Sequence, residues 1–378
     1  MSGEETAGQN DRELLAAALA SLAELLGQDW RVTQIDEGAR SSGDGVFDAR
    51  VQVVPPDSSP YTELLVDVRG KRISPRDVLD KTVPMINLLR QAQVRAVPLV
   101  VAPWISPRTQ EVLREHDIAY IDLTGNVSLR VTYPAISFYR QGASRDPKPS
   151  AVSTRSVTLA GPRAGRIVRF LADFIPPYRA SQIADQAAVS APWVSRLLGQ
   201  LEDQLLIRRA GRDIVDVRWA ELLRARASTY RLLRPGNHEA MISPGGAGQV
   251  LRQLREDRSA IEGGANIAVT GPYAARAVAP HTVGGQLMLY VDHTPRVVDE
   301  WEDRLGLLRA SEGADVLLIR APDQSVFDRT RLVDEVTHVG YSQLVLDCLA
   351  GNGRMPAEGE AILKGLSDDE SWRRRPEF

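Results

Sequence analysis

Between Arg163 and Val217 the apolar residues change period from that of a helix to that of a strand, and the breaks fall at defined places. Ile167, Phe170 and Leu171 share one helical face. Pro176-Pro177 then ends the helix, because proline lacks an N–H and the residue before it avoids the α region. A second, short helix is expected over 180–187, beginning at Arg179-Ala180-Ser181 and burying Ile183 and Ala184. Ala188-Val189-Ser190 makes the turn, with Ser190 as N-cap and Pro192 in the first turn of a third helix, 191–203. Val194, Leu197, Leu198 and Leu201 form the inner face of that helix, and Trp193, Ser195, Arg196, Gly199 and Gln200 the outer one. Leu205 to Arg209 and Asp213 to Val217 alternate like strands around Ala210-Gly211-Arg212, which predicts a hairpin.

A short helix pair followed by a hairpin is the order of a winged helix-turn-helix, and the charge distribution agrees with it. Residues 140–234 hold 17 basic and 8 acidic residues, a net +9. Residues 1–139 hold 14 and 19, and residues 235–378 hold 15 and 22, so the basic block lies between two acidic ones. That is the electrostatic footprint of a polyanion-binding module, whose non-specific affinity comes from phosphate neutralisation. A solvated charged surface is the plain alternative. In helix-turn-helix docking the second helix of the pair enters the major groove. Arg196 then suits guanine, Gln200 suits adenine, and Ser195 reaches base or phosphate. Arg208, Arg209 and Arg212 suit phosphate or minor-groove contacts from the wing, and Arg179, Ser190 and Trp193 complete the candidate DNA-binding set.

A chain of 378 residues supports two or three domains with cores of their own. The expected divisions are an α/β domain over 1–141, a linker over 142–162, the winged helix-turn-helix over 163–234, and an α/β domain over 235–378. The linker is polar and proline-bearing, and its Arg145, Lys148 and Arg155 can add phosphate contacts. The second break falls at Arg234-Pro235-Gly236-Asn237. No apolar run approaches the ~20 residues that span a bilayer, and the acidic Met-Ser-Gly-Glu-Glu start lacks a basic n-region. A cytoplasmic, nucleoid-associated protein is therefore expected, and arginine far outnumbering lysine amid abundant Ala and Gly suggests a high-GC bacterial source. Cys348 stands alone and the histidines are scattered, so neither a disulfide, a metal nor a cofactor is expected.

The first block begins with a helix over 11–26 carrying a leucine stripe. Strands at 47–54 and 63–69, a helix near 75–93, a strand at 97–102, a helix at 107–116 and a strand at 118–123 follow, with Gly125-Asn126 as a tight turn into another strand. Strands alternating with helices after Glu63 predict parallel crossovers in a mixed sheet. This order resembles the restriction-endonuclease-like fold over roughly 11–135. The resemblance implies an upstream Asp and an acid-x-Lys tripeptide that hold Mg²⁺ and activate water. Asp48 and Asp67-Val68-Arg69 match those positions, but Arg69 stands where the lysine belongs. A planar, permanently charged guanidinium is a poor replacement there, so Asp48, Asp67 and Arg69 are expected to be a vestigial, non-catalytic site.

The last block carries Val269-Thr270-Gly271-Pro272-Tyr273-Ala274-Ala275, Leu289-Tyr290-Val291-Asp292, Ser342-Gln343-Leu344-Val345-Leu346-Asp347 and Gly351-Asn352-Gly353-Arg354-Met355-Pro356-Ala357-Glu358. With the winged helix, over about 160–375, these resemble the AbiEi family of transcriptional regulators, the antitoxins of type IV toxin–antitoxin pairs. The resemblance implies a promoter-binding repressor of its own operon, with a nucleotidyltransferase-like toxin as a protein partner. The long nuclease-like first block departs from short antitoxins and favours a free-standing regulator. The expectation is a non-catalytic regulator that binds double-stranded DNA, as a homodimer on an inverted repeat. An antitoxin and a metal-dependent nuclease are the alternatives.

Overall fold

The computed structural model describes residues 2–37, 47–57, 60–70, 72–144, 146–147, 159–257, 266–279, 285–294 and 296–376. Arg145, Lys148 and Arg155 of the expected linker lie outside these described residues. The chain is a mixed α/β protein that divides into two compact units. One comprises Met1–Arg155 with Glu202–Leu205, the other Ser156–Leu201 with Leu206–Phe378.

The first unit is built on a seven-stranded sheet whose strands are neighbours in chain order. These are β1 (Arg31–Glu37), β2 (Ala49–Val54), β3 (Thr62–Val68), β4 (Ala96–Ala102), β5 (Ala119–Asp122), β6 (Val127–Val131) and β7 (Ile136–Arg140). β3, β4 and β5 run parallel, as the helix-separated spacing predicts, and the outer pairs are antiparallel. The apolar stripe of α1 (Ser2–Leu26) meets one face, where Leu14, Leu15, Ala18 and Leu22 pack with Val51, Val53, Leu64 and Val66. The other face buries Val100 and Tyr120 against Ile86, Val112 and Leu113. A strand covered on both sides is buried along its length, and β3 is buried at every position but Glu63.

The helix expected near 75–93 is interrupted. A capping box at Ser74 and Asp77 opens α2 (Pro75–Asp77), a π-turn follows at Val78–Thr82, and α3 (Val83–Gln91) completes it. Pro84 has no N–H to offer the preceding turn, so the ladder widens there and Val83 N–H bonds to the Val78 carbonyl. α4 (Pro107–Glu115) then returns the chain to β5, capped by Ser106, whose Oγ accepts from Thr109 N–H at 3.2 Å.

The second unit opens with α5 (Gly161–Asp173), β8 (Tyr178–Arg179), α6 (Ala180–Gln186), α7 (Ala191–Asp203, of which Glu202 and Asp203 count with the first unit), β9 (Ile207–Ala210), β10 (Asp213–Val217) and α8 (Trp219–Ala227). β8, β10 and β9 form a small antiparallel sheet in that order. A larger seven-stranded sheet follows, ordered β14-β11-β15-β13-β12-β17-β16. Its strands are β11 (His238–Ile242), β12 (Ile267–Thr270), β13 (Leu287–Val291), β14 (Leu308–Arg309), β15 (Val316–Arg320), β16 (Arg331–Val333) and β17 (Val336–His338). The helices among them are α9 (Gly246–Glu256), α10 (Gly271–Arg276) and α11 (Val297–Leu305), with α12 (Tyr341–Leu349) and α13 (Met355–Asp368) last. α12 and α13 approach closely at Gly359, where a Cβ would sit 2.9 Å from the backbone nitrogen of Leu349.

Residues 163–234 and 235–378 share one core in this unit. Phe170, Leu171, Trp219, Leu222 and Leu223 belong to the same buried cluster as Tyr290, Leu344, Val345 and Ile362. Trp219 meets Trp372 edge-on at 5.1 Å and donates to Glu370 at 2.8 Å. Arg224 forks onto Glu360, and Asp173 accepts from Arg329.

Candidate nucleic-acid interface

The α6–α7 pair and its hairpin start from backbone chemistry. Ala188 takes a positive φ of 49° in the connection, and the Ser190 carbonyl accepts from Trp193 and Val194 N–H at 3.0 and 3.1 Å to begin α7. Val194, Leu197, Leu198 and Leu201 are buried, so the spacing fixes which side of the helix stands outward. Ser190, Ser195 and Arg196 are exposed on that side. Trp193 and Gln200, also expected on the outer face, are half-buried, and Trp193 packs against the core. The reason lies in the spacing: both stand within one turn of the buried Leu197, Trp193 at i−4 and Gln200 at i+3.

β9 and β10 pair across the hairpin, with Ala210 opposite Asp213 and Arg209 opposite Ile214. Gly211 turns the tip with a φ of 63°, and Arg212 projects from it exposed. Arg208 is exposed while Arg209 is half-buried. The side chains of Arg196, Arg208 and Arg212 form no hydrogen bond or ion pair among the described residues. Arg179 is differently placed: β8 pairs with β10, and its Nε bonds the Asp213 carboxylate at 2.9 Å. Its charge is thus partly answered within the protein.

In the first unit, Asp48, Asp67 and Arg69 are brought together at the β2–β3 pair. Asp48 Oδ2 accepts from Val68 N–H at 2.7 Å, and Asp67 Oδ2 accepts from Arg69 through Nε at 3.0 Å and Nη2 at 2.7 Å. Burial raises the Asp67 carboxyl above its ordinary range, Arg69 pulls it back, and the nearby Asp48 adds to the rise. Desolvation outweighs the ion pair here. Among the described residues no group of three or more His, Cys, Asp or Glu side chains is arranged to hold a metal ion.

Sequence reasoning missed a polar cluster that links the two parts of the second unit. Asp347, fully buried on α12, accepts from Tyr230 at 2.8 Å, Tyr290 at 2.9 Å, Gln343 at 2.8 Å and Thr270 at 2.6 Å. Arg169 of α5, itself buried, donates to Gln343 and to Ser325. Burial pushes the Asp347 carboxyl up to about 6, against the hydrogen bonds that lower it, and holds the Arg169 guanidinium below its usual value. The signal available in the sequence was the Gln343–Asp347 pair one helical turn apart inside an apolar helix.

Among the described residues no helix is long and apolar enough to cross a membrane. Comparison with protein-family models, curated proteins and solved structures found no match to this chain.

Proposed function

We propose that this chain binds double-stranded DNA through a winged helix-turn-helix over 163–234 and regulates transcription without catalysis. The observation that carries the reading is the two-sidedness of α7: an apolar inner face, and an outer face on which Ser195 and Arg196 stand exposed. The hairpin adds Arg208 and Arg212, and the surrounding block is basic between two acidic ones. Arg196 reads a base edge, while Arg208 and Arg212 neutralise phosphates. Arg179, Ser190 and Gln200 flank the contact, and two copies bind half-sites related by a two-fold axis. This is the mode of action that the AbiEi resemblance implies, and a protein working in this way resides with the nucleoid.

The test is selection from a random duplex pool with the full chain and with Arg196→Ala. An inverted repeat is expected for the parent, with a loss of ~1–3 kcal/mol of discrimination at one base pair per half-site in the variant. The same consensus from both proteins would remove Arg196 as a base reader, and no enrichment at all would remove the function.

The closeness of Asp48 and Asp67 favours a second reading, metal-dependent phosphodiester cleavage by the first unit, taken as a restriction-endonuclease-like fold. Arg69 argues against it, because it occupies Asp67 Oδ2 with two donors. Duplex, nicked and single-stranded DNA incubated with Mg²⁺ or Mn²⁺ should therefore stay intact. Cutting that disappears in Asp67→Ala would make the nuclease the better reading.

A further inference from the structure

A cleft of about 610 Å³ opens in the second unit between the segment after α8, the start of α10, strand β13 and the α12–α13 connection. That volume falls within the ~300–1,000 Å³ of small-molecule sites. Its floor is soft and apolar: Met288 and Met355 line it, each only 5% exposed. Gly351, which also lines the cleft, lets Met355 approach closely: a Cβ there would lie 2.5 Å from the Met355 sulfur. Arg231 and Arg354 line the cleft, are exposed, and their side chains form no hydrogen bond or ion pair among the described residues. The acid that lines it, Glu358, already feels both Arg276 and Arg354. Positive charge is therefore in excess around an apolar floor. Gln286 spends its amide N–H on the Ala314 carbonyl at 2.6 Å, which leaves its oxygen as an acceptor for a polar ring edge.

We propose that this cleft binds a small organic anion with a flat ring, its phosphate or carboxylate held by Arg231 and Arg354 and its ring lying on Met288 and Met355. Guanidinium groups favour planar or tetrahedral oxyanions through paired N–H donors, and thioether sulfur makes favourable contacts with aromatic rings. Occupancy of the cleft is measured directly and does not depend on DNA binding.

The test is isothermal titration of the full chain with two matched pairs: guanosine 5′-monophosphate against guanosine, and salicylate against salicylamide. At least one anion should bind and its neutral partner should not. Binding by the nucleotide alone identifies a nucleoside phosphate as the ligand type, and binding by salicylate alone an aromatic carboxylate. The Arg231→Gln/Arg354→Gln variant should weaken that binding at least about tenfold. Asn352→Trp, which fills the cleft from an exposed position and leaves both arginines in place, should abolish it. Melting of each ligand-free variant at the parent's temperature establishes that it folds. No binding of either anion at millimolar concentration overturns the proposal, as does binding that survives both variants or equal binding of the neutral partners.

Discussion

At Asp347 burial and hydrogen bonding act in opposite directions. Tyr230, Tyr290, Gln343 and Thr270 all donate to it, each favouring the carboxylate, yet burial wins and raises its pKa to about 6. An acid raised above its unfolded value of ~3.9 is bound more tightly by protons in the fold, so its contribution to stability is complete below that value. The contribution is lost as pH rises through the folded value. The whole change is about 3 kcal/mol, from ~1.4 kcal/mol per pKa unit. Asp347→Asn keeps the shape and does not titrate. The stability of the parent relative to this variant should thus fall by ~2–3 kcal/mol between about pH 4 and pH 7, read from urea unfolding. A difference that stays constant over that range would show that Asp347 does not carry the proton. The same contest, with the same winner, operates at Asp67, where the strand pattern revealed the acid but not its burial against Arg69.

Among the elements, α7 and its hairpin were the most legible. Four apolar residues at helical spacing and Pro192 at the start mark α7, and its predicted bounds, 191–203, are those observed. The strand β8 left no trace, because Tyr178–Arg179 is extended only through its pairing with Asp213 and Ile214. Likewise Pro84 is plain in the sequence, but the π-turn before it depends on how the chain absorbs a missing donor. Of the candidate site, the exposed Arg196 and Arg208 followed from period and the exposed Arg212 from its place in the turn; the pairing of Arg179 with Asp213 needed the third strand. The hairpin carries its own prediction. Arg208→Ala with Arg212→Ala should weaken binding to all duplexes by similar factors and flatten the log–log salt dependence by ~0.9 for each phosphate no longer neutralised. Weakening confined to one sequence, with an unaltered salt slope, would contradict phosphate neutralisation by this element.

At the scale of the whole molecule, residues 163–234 and 235–378 are joined by apolar packing, by Trp219 on Trp372, and by the polar cluster from Arg169 to Asp347. This union was illegible in the sequence: Phe170, Leu222 and Leu223 read equally well as the core of a small independent domain. A fragment ending at residue 234 would expose Trp219, Leu222 and Leu223 and leave the buried Arg169 without Gln343 and Ser325. Residues 156–234 alone should therefore show no cooperative thermal transition, whereas 156–378 should melt as one transition. Two-state melting of the short fragment near the temperature of the long one would show that the shared core contributes little.

A helical and hairpin segment whose inner surface is part of a larger core cannot be exchanged like a cassette. Grafting residues 163–234 onto another scaffold would strand Trp219 and Arg169 against surfaces that do not complete them. Ser195, Arg196 and Arg212 stand exposed, whereas Trp219 packs on Trp372, more than a hundred residues further along the chain, and Phe170 and Leu223 share a buried cluster with Leu344. Recombination at the 234–235 boundary would divide the core itself.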